Sequence, residues 1–257
     1  MSELFEGADL SGAVFREVDL SDARFERASF QRVVMRGVEL VDVTIDGDIE
    51  GLVINGVEVA PLIVAELDRQ NPDRVKMRPT DPQGFREARE LVEQLWKETV
   101  ARARQLPPEL HHENVDGEWS FVQTLRHLNF AIDAWVNRVI RGNPHPWHEL
   151  DLPFDGMPDI QGIPRDRDAK PSLDEILTVR ADRQASLREV IDNLTEEQLA
   201  SSTEPVEEPA WPRSESFSVK EVLHLLLNEE WQHRLYAERD LAALEARVDH
   251  HEARESR

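Results

Sequence analysis

Glu229 and His233 lie four positions apart in "NEEWQHRLYAERDL", and His127 lies about a hundred residues earlier in "WSFVQTLRHLNFAIDAW". One carboxylate and two neutral imidazoles are a donor set that holds a divalent cation and leaves coordination positions open. No cysteine occurs in the chain, which excludes disulfides, thiolate-ligated metal and a protein thiol nucleophile. Taken singly, each residue has a plain alternative. A core histidine is more often hydrogen-bonded than ligating, and Glu–His pairs at this spacing are common on surface helices. Two separate helices presenting such residues on inward faces is what favours the metal.

Helical phase sorts the candidates. At about 100° per residue, Val222, Leu226, Glu229, His233 and Tyr236 share one stripe. Positions four apart stand on adjacent turns of one face, so Glu229 and His233 can meet one ion. Phase puts His224 on the opposite face, and Glu230 is displaced from the stripe as a second choice. His127 shares a face with Thr124, Ala131 and Ala134, small residues that leave room for an ion and part of a ligand. Leu125, Leu128 and Ile132 pack beside it. A charged Glu229 facing a core needs a partner or a metal. The set His127, Glu229 and His233 suits Zn²⁺, Ni²⁺, Mn²⁺ or Fe²⁺, with zinc slightly favoured. The "HPWH" pair (His145, His148) is a weaker alternative, and His111-His112 and His250-His251 read as solvated termini.

The elements that must position these residues are long helices. The first runs from Pro82 to Leu106 and stops before Pro107-Pro108. The second starts at Trp119-Ser120, with Ser120 as N-cap, and reaches Arg141-Gly142. Ser172 with Glu175 forms a capping-box pattern for the third, and the fourth starts near Ser218 and extends toward the His250-His251 tail. A segment rich in Pro, Asp and Gly, 142–171, separates the second helix from the third and fits a crossover or an active-site rim. Amphipathic helices with one long connection describe a four-helix bundle, an architecture that builds metal sites from facing helices. Trp147, Trp211 and Trp231 are candidates for an apolar wall, with core packing expected for Trp231.

The N-terminal 45 residues follow another period. Large apolar residues fall at every fifth position: Phe5, Leu10, Phe15, Leu20, Phe25, Phe30, Met35, Leu40 and Ile45. That spacing fits neither helix nor strand, and suits a four-sided coil with one pentapeptide per side and the large residue inward. "GADLSG" and "EVDLSD" resemble pentapeptide-repeat proteins, which form right-handed quadrilateral β-helices. Nine units make about two coils, so the stub needs a cap. Asn55-Gly56 predicts a hairpin, which with the short helix "PLIVAELDRQ" supplies one.

"WSFVQTLRHLNFAIDAW" followed by "NEEWQHRLYAERDL" resembles the DinB-like superfamily of metal-binding four-helix bundles, which includes mycothiol-dependent maleylpyruvate isomerase. The resemblance spans roughly residues 82–245. It implies one His on the second helix, here His127, and an HxxxH or ExxxH pair on the fourth, here Glu229 and His233; many members have His where this chain has Glu229. The expected organisation is α+β and multidomain: a repeat β-helix with hairpin cap (1–57), a linker with a short helix (58–81), the bundle (82–250) and a tail (251–257). The expected function is that of a divalent-metal protein acting with a low-molecular-weight thiol such as mycothiol, as a transferase, isomerase or hydrolase, with catalytic residues and substrate open. The alternative is a non-catalytic binding or interaction protein that docks through the acidic repeat stub. A homodimer is compatible with the resemblance.

With 257 residues, a net charge of −22 and 32% charged residues, the chain reads as soluble and cytoplasmic. Its acidity argues against nucleic-acid binding, which needs clustered cations, and no apolar run is long enough for a membrane span. Acidic pentapeptide rods that mimic DNA are longer than two coils, and the units carry Arg16, Arg24, Arg27, Arg32 and Arg36.

Overall fold

In the computed structural model, the residues described are 4–207 and 210–255, with all side chains among them except those of 249 and 251–255. Two compact units are present, Met1–Ile49 and Glu50–Arg257.

The first unit keeps the five-residue period in its backbone. Gly7, Gly12, Glu17, Asp22, Arg27, Arg32, Gly37 and Asp42 all have positive φ, between 51° and 77°. A left-handed residue every five positions turns the chain at regular corners, and glycine takes that conformation without steric cost. Asp9 and Asp19 brace two corners by accepting from the Ser11 and Ser21 amides at 2.9 Å. The expected ladder between coils does not form among the described residues; the turns close through short bonds such as Ala13 N–H to the Leu10 carbonyl at 3.0 Å. The large residues at the fifth positions are 47% to 63% exposed and do not make the enclosed column their spacing predicts. So few repeats cannot bury a continuous core, because each inward residue lacks a neighbour on at least one side.

The second unit opens with the expected hairpin, β1 (Val53–Ile54) against β2 (Val57–Glu58), antiparallel. Positive φ at both Asn55 and Gly56 makes the tight turn that matches strand twist. Helix α1 (Ala60–Gln70) follows and has no buried residue. A 3₁₀ turn, Pro72–Met77, joins it to the bundle and buries Met77.

Four long helices then pack against one another: α2 (Pro82–Ala103), α3 (Phe121–Ile132), α4 (Leu173–Asp192) and α6 (Val219–Glu255). Between the last two lies the short α5 (Glu196–Leu199). The pairs α2–α6, α6–α3, α3–α4 and α4–α2 close a ring. Their starts are fixed locally. Asp81 accepts from the Gly84 amide at 2.9 Å, and Ser120 with Gln123, and Ser172 with Glu175, form capping boxes. Gly84 is required by contact, since a Cβ there would stand 2.9 Å from Cβ of Pro79. Helix α6 continues into the segment expected as a tail, and 256–257 with the His251 side chain lie outside the described residues.

Leu125, Leu128, Ile132, Ile176, Leu223, Leu226 and Leu241 are at most 1% exposed and form the centre of the core. Each contributes about 1.5–3 kcal/mol relative to exposure. Past Ile132 the second helix departs from the expected α-helical phase, because Asp133–Ile140 is π-helical. Ala134 lies in a separate apolar cluster with Phe130 and Met157.

Two buried arginines fasten the irregular segments. Arg126 donates to the carbonyls of Leu150 at 2.8 Å, Ala169 at 3.0 Å and Asp166, tying the 142–171 loop to α3. Arg138 donates to the carbonyls of Glu207 at 2.8 Å and Val206 at 3.1 Å. A guanidinium offers five donors in a planar fork, which suits one side chain to several carbonyls.

Candidate metal centre

His127 comes from the middle of α3, and Glu229 and His233 come from adjacent turns of α6. Their donor atoms all lie within 4.8 Å of one another. Oε2 of Glu229 stands 3.1 Å from Nε2 of His233 and 3.5 Å from Nε2 of His127. His127 is buried, while Glu229 and His233 are partly exposed, so the cluster has one closed side and one open side.

Hydrogen bonding assigns the tautomer of His127. Its Nδ1 lies 3.1 Å from the Leu152 carbonyl, an obligate acceptor, so Nδ1 carries the proton. Burial is the largest influence on this imidazole and holds its pKa below the usual value, which keeps the ring neutral. Nε2 therefore presents a bare lone pair toward the carboxylate of Glu229. Burial pushes Glu229 up, but the contacts with the His127 and His233 rings outweigh it and leave the carboxyl at about 2. An anionic oxygen and a lone pair 3.5 Å apart in a partly dry interior call for a positive charge between them.

The walls are aromatic. The Trp119 ring is stacked with His233 at 5.9 Å and meets His127 at 4.6 Å. Tyr236 stands edge-on to His233 at 6.1 Å. A cavity of about 10 Å³, the room of one water, lies alongside between Trp119, Thr124 and Ala237.

The other histidines fall elsewhere. His224 donates through Nε2 to the Pro79 carbonyl at 2.6 Å and stacks on Phe85, far round the helix as phase predicts. Glu230 is buried and paired with Arg180 at 2.5 Å, so the second choice of carboxylate serves the core. His148 Nδ1 accepts from the Leu150 amide, and His145 is exposed, so the "HPWH" pair does not join the cluster. His111 corrects the expectation of a solvated terminus: it is 6% exposed and donates to the Ala103 carbonyl at 2.8 Å. Helix ends leave carbonyls that need donors, and His111 caps the end of α2. Trp147 stacks on Phe130 and Trp211 meets Phe154, both in the second apolar cluster, while Trp231 lies in the main core.

The Leu152 carbonyl was invisible to sequence, since a main-chain acceptor has no residue type. The buried Asp133 and Asp151, and Arg183 paired with Asp133, gave no periodic signal either.

The family model described as DinB superfamily matches residues 91–237, and the model described as pentapeptide repeats matches eight copies over residues 4–43. Neither a curated protein nor a solved structure matches the chain.

Proposed function

The chain belongs to the DinB superfamily, and from that premise we propose that His127, Glu229 and His233 hold a divalent metal ion at the centre of an enzyme site. The carrying observation is the lone pair of His127 Nε2 opposed to the Glu229 carboxylate at 3.5 Å, with Nδ1 already committed to Leu152. Two nitrogens and one oxygen suit zinc, with nickel, manganese and iron as alternatives. Bound there, such an ion supplies Lewis acidity and lowers the pKa of a thiol or water in an open position.

The protein's own residues perform the remaining work. His127 stays neutral and oriented by the loop. Trp119 and Tyr236 limit water on the exposed side and offer flat apolar surface to a substrate. With no cysteine in the chain, a reacting thiol comes from solution, which supports a low-molecular-weight thiol such as mycothiol as co-substrate. Thiol transfer, isomerisation and hydrolysis all fit this arrangement.

The N-terminal repeats are best read as a short four-sided coil, supported by eight left-handed corners at five-residue spacing. One observation favours a non-catalytic role for that unit: Phe5, Phe15 and Phe25 are 59% to 63% exposed, as in a docking element.

The test is metal content after purification of the wild type, His127→Ala and His233→Ala. Near-stoichiometric metal in the wild type and its loss in both variants is expected; unchanged content in both overturns the site. Loading with Co²⁺ then reads the thiol directly: a visible spectrum unmoved by excess thiol removes the thiol and leaves the metal.

A further inference from the structure

We propose that Asp151 carries a proton and donates it to Asp133, and that this buried bond clasps the 142–171 loop so that Leu152 presents its carbonyl to His127. The second half rests on the metal reading of His127; the shared proton does not.

Both carboxyl groups are at 0% exposure, Asp133 at the start of the π-helical segment and Asp151 in the loop, and they are near enough for each to act on the other. Asp133 is fully provided as an anion. Its Oδ1 accepts from Asn137 at 2.6 Å, and its Oδ2 accepts from Nε and Nη2 of Arg183 at 2.9 and 2.8 Å. Asp151 is not. Its Oδ2 accepts from the His148 amide at 2.9 Å, while its Oδ1 is buried with no donor among the described residues.

Arg183 and Arg126 act on Asp151 through charge, but neither donates a hydrogen bond to it among the described residues. Arg183, from α4, bonds Asp133 and the exposed Asp182. Arg126, from α3, directs its donors to the carbonyls of Leu150, Ala169 and Asp166. His148 uses Nδ1 as an acceptor from Leu150 N–H, so that nitrogen brings no proton. The buried Oδ1 with no donor marks Asp151 as the neutral carboxyl of the two. Burial first, and then the charge of Asp133, hold the Asp151 carboxyl well above the ordinary range. Two carboxyls that share one proton are a recurring answer to this problem.

The clasp has three consecutive attachments: the Leu150 carbonyl to Arg126, Asp151 to Asp133, and the Leu152 carbonyl to His127. Ionising Asp151 breaks the middle one by repulsion. Asp151 is thus a positioning residue that acts through Leu152 on the tautomer of His127.

A carboxyl whose folded pKa is raised contributes stability that is full below its unfolded value, about 3.9, and is lost as pH rises through the folded value. Asparagine donates the same hydrogen bond without a proton to lose.

The experiment measures thermal stability of the metal-free protein against pH for wild type and Asp151→Asn, and Co²⁺ affinity for these and Asp151→Ala. The wild type is expected to lose stability, relative to Asp151→Asn, as pH rises. Asp151→Ala is expected to bind Co²⁺ about tenfold or more weakly, with affinity restored in Asp151→Asn. Parallel stability profiles overturn the shared proton, and full Co²⁺ affinity in Asp151→Ala overturns the clasp. A wild type that binds no Co²⁺ overturns the metal reading and with it the clasp's action on His127, while the stability profiles still decide the proton.

Discussion

His127 Nδ1 and the Leu152 carbonyl are hydrogen-bonded at 3.1 Å across twenty-five residues of chain. This bond decides which nitrogen of His127 is free and points it at Glu229. A ligand histidine commonly has its second nitrogen fixed this way, which sets ring orientation and raises basicity at the ligating atom.

Acid should release the metal in the imidazole range. His127 has a lowered pKa in the metal-free protein, so protonation begins below about 6.5 and competes for Nε2 there. Glu229 stays ionised down to about 2 and does not set the transition. The same burial makes the metal-free fold lose stability as pH falls through that range, because a His with a depressed folded pKa binds its proton more readily unfolded. A metal-occupancy titration is expected to show loss between pH ~6.5 and the carboxylate range. Loss confined to the range near the Glu229 value would assign release to the wrong group.

Glu229→Gln should move stability and metal affinity in opposite directions. The amide nitrogen, placed where Oε2 stands, has two hydrogens: it donates to the bare Nε2 of His127 and, with the His233 proton moved to Nδ1, to Nε2 of His233, so the repulsion at 3.5 Å disappears. Metal-free stability is expected to rise by ~1 kcal/mol. Metal affinity is expected to fall on the order of tenfold or more, since the anionic ligand is gone. Chelator-treated denaturation and a metal titration measure the two. A variant less stable and equally avid would contradict the opposed lone pair.

His224→Ala should cost stability and leave metal content untouched. The variant loses the bond to the Pro79 carbonyl and the stacking on Phe85, together worth ~1–2 kcal/mol. Calorimetry alongside metal analysis separates this histidine from His233, nine residues away on the same helix. Metal loss in His224→Ala would place it in the site after all.

What the sequence determined by itself were the features written in local chemistry and period. Ser120 and Ser172 started their helices because a side-chain oxygen can satisfy an orphan amide with no help from the fold. Asn55-Gly56 made its hairpin for the same local reason. Helical phase joined Glu229 to His233 and removed His224, since both judgements use only the pitch of one helix. The five-residue period also survived, as left-handed corners.

Tertiary structure decided what depends on partners distant in the chain. Period alone could not say whether Phe5 to Ile45 would be enclosed, because enclosure needs enough stacked neighbours. His111 looked like a solvated end and became a cap once the chain turned back on Ala103. Arg126 and Asp151 carry no distinguishing pattern, and their roles arise only where the 142–171 loop crosses α3. The same crossing brings a leucine carbonyl to His127. Sequence could nominate the three candidate ligands by side-chain type; the proton that orients one of them was decided by a backbone atom of no particular residue.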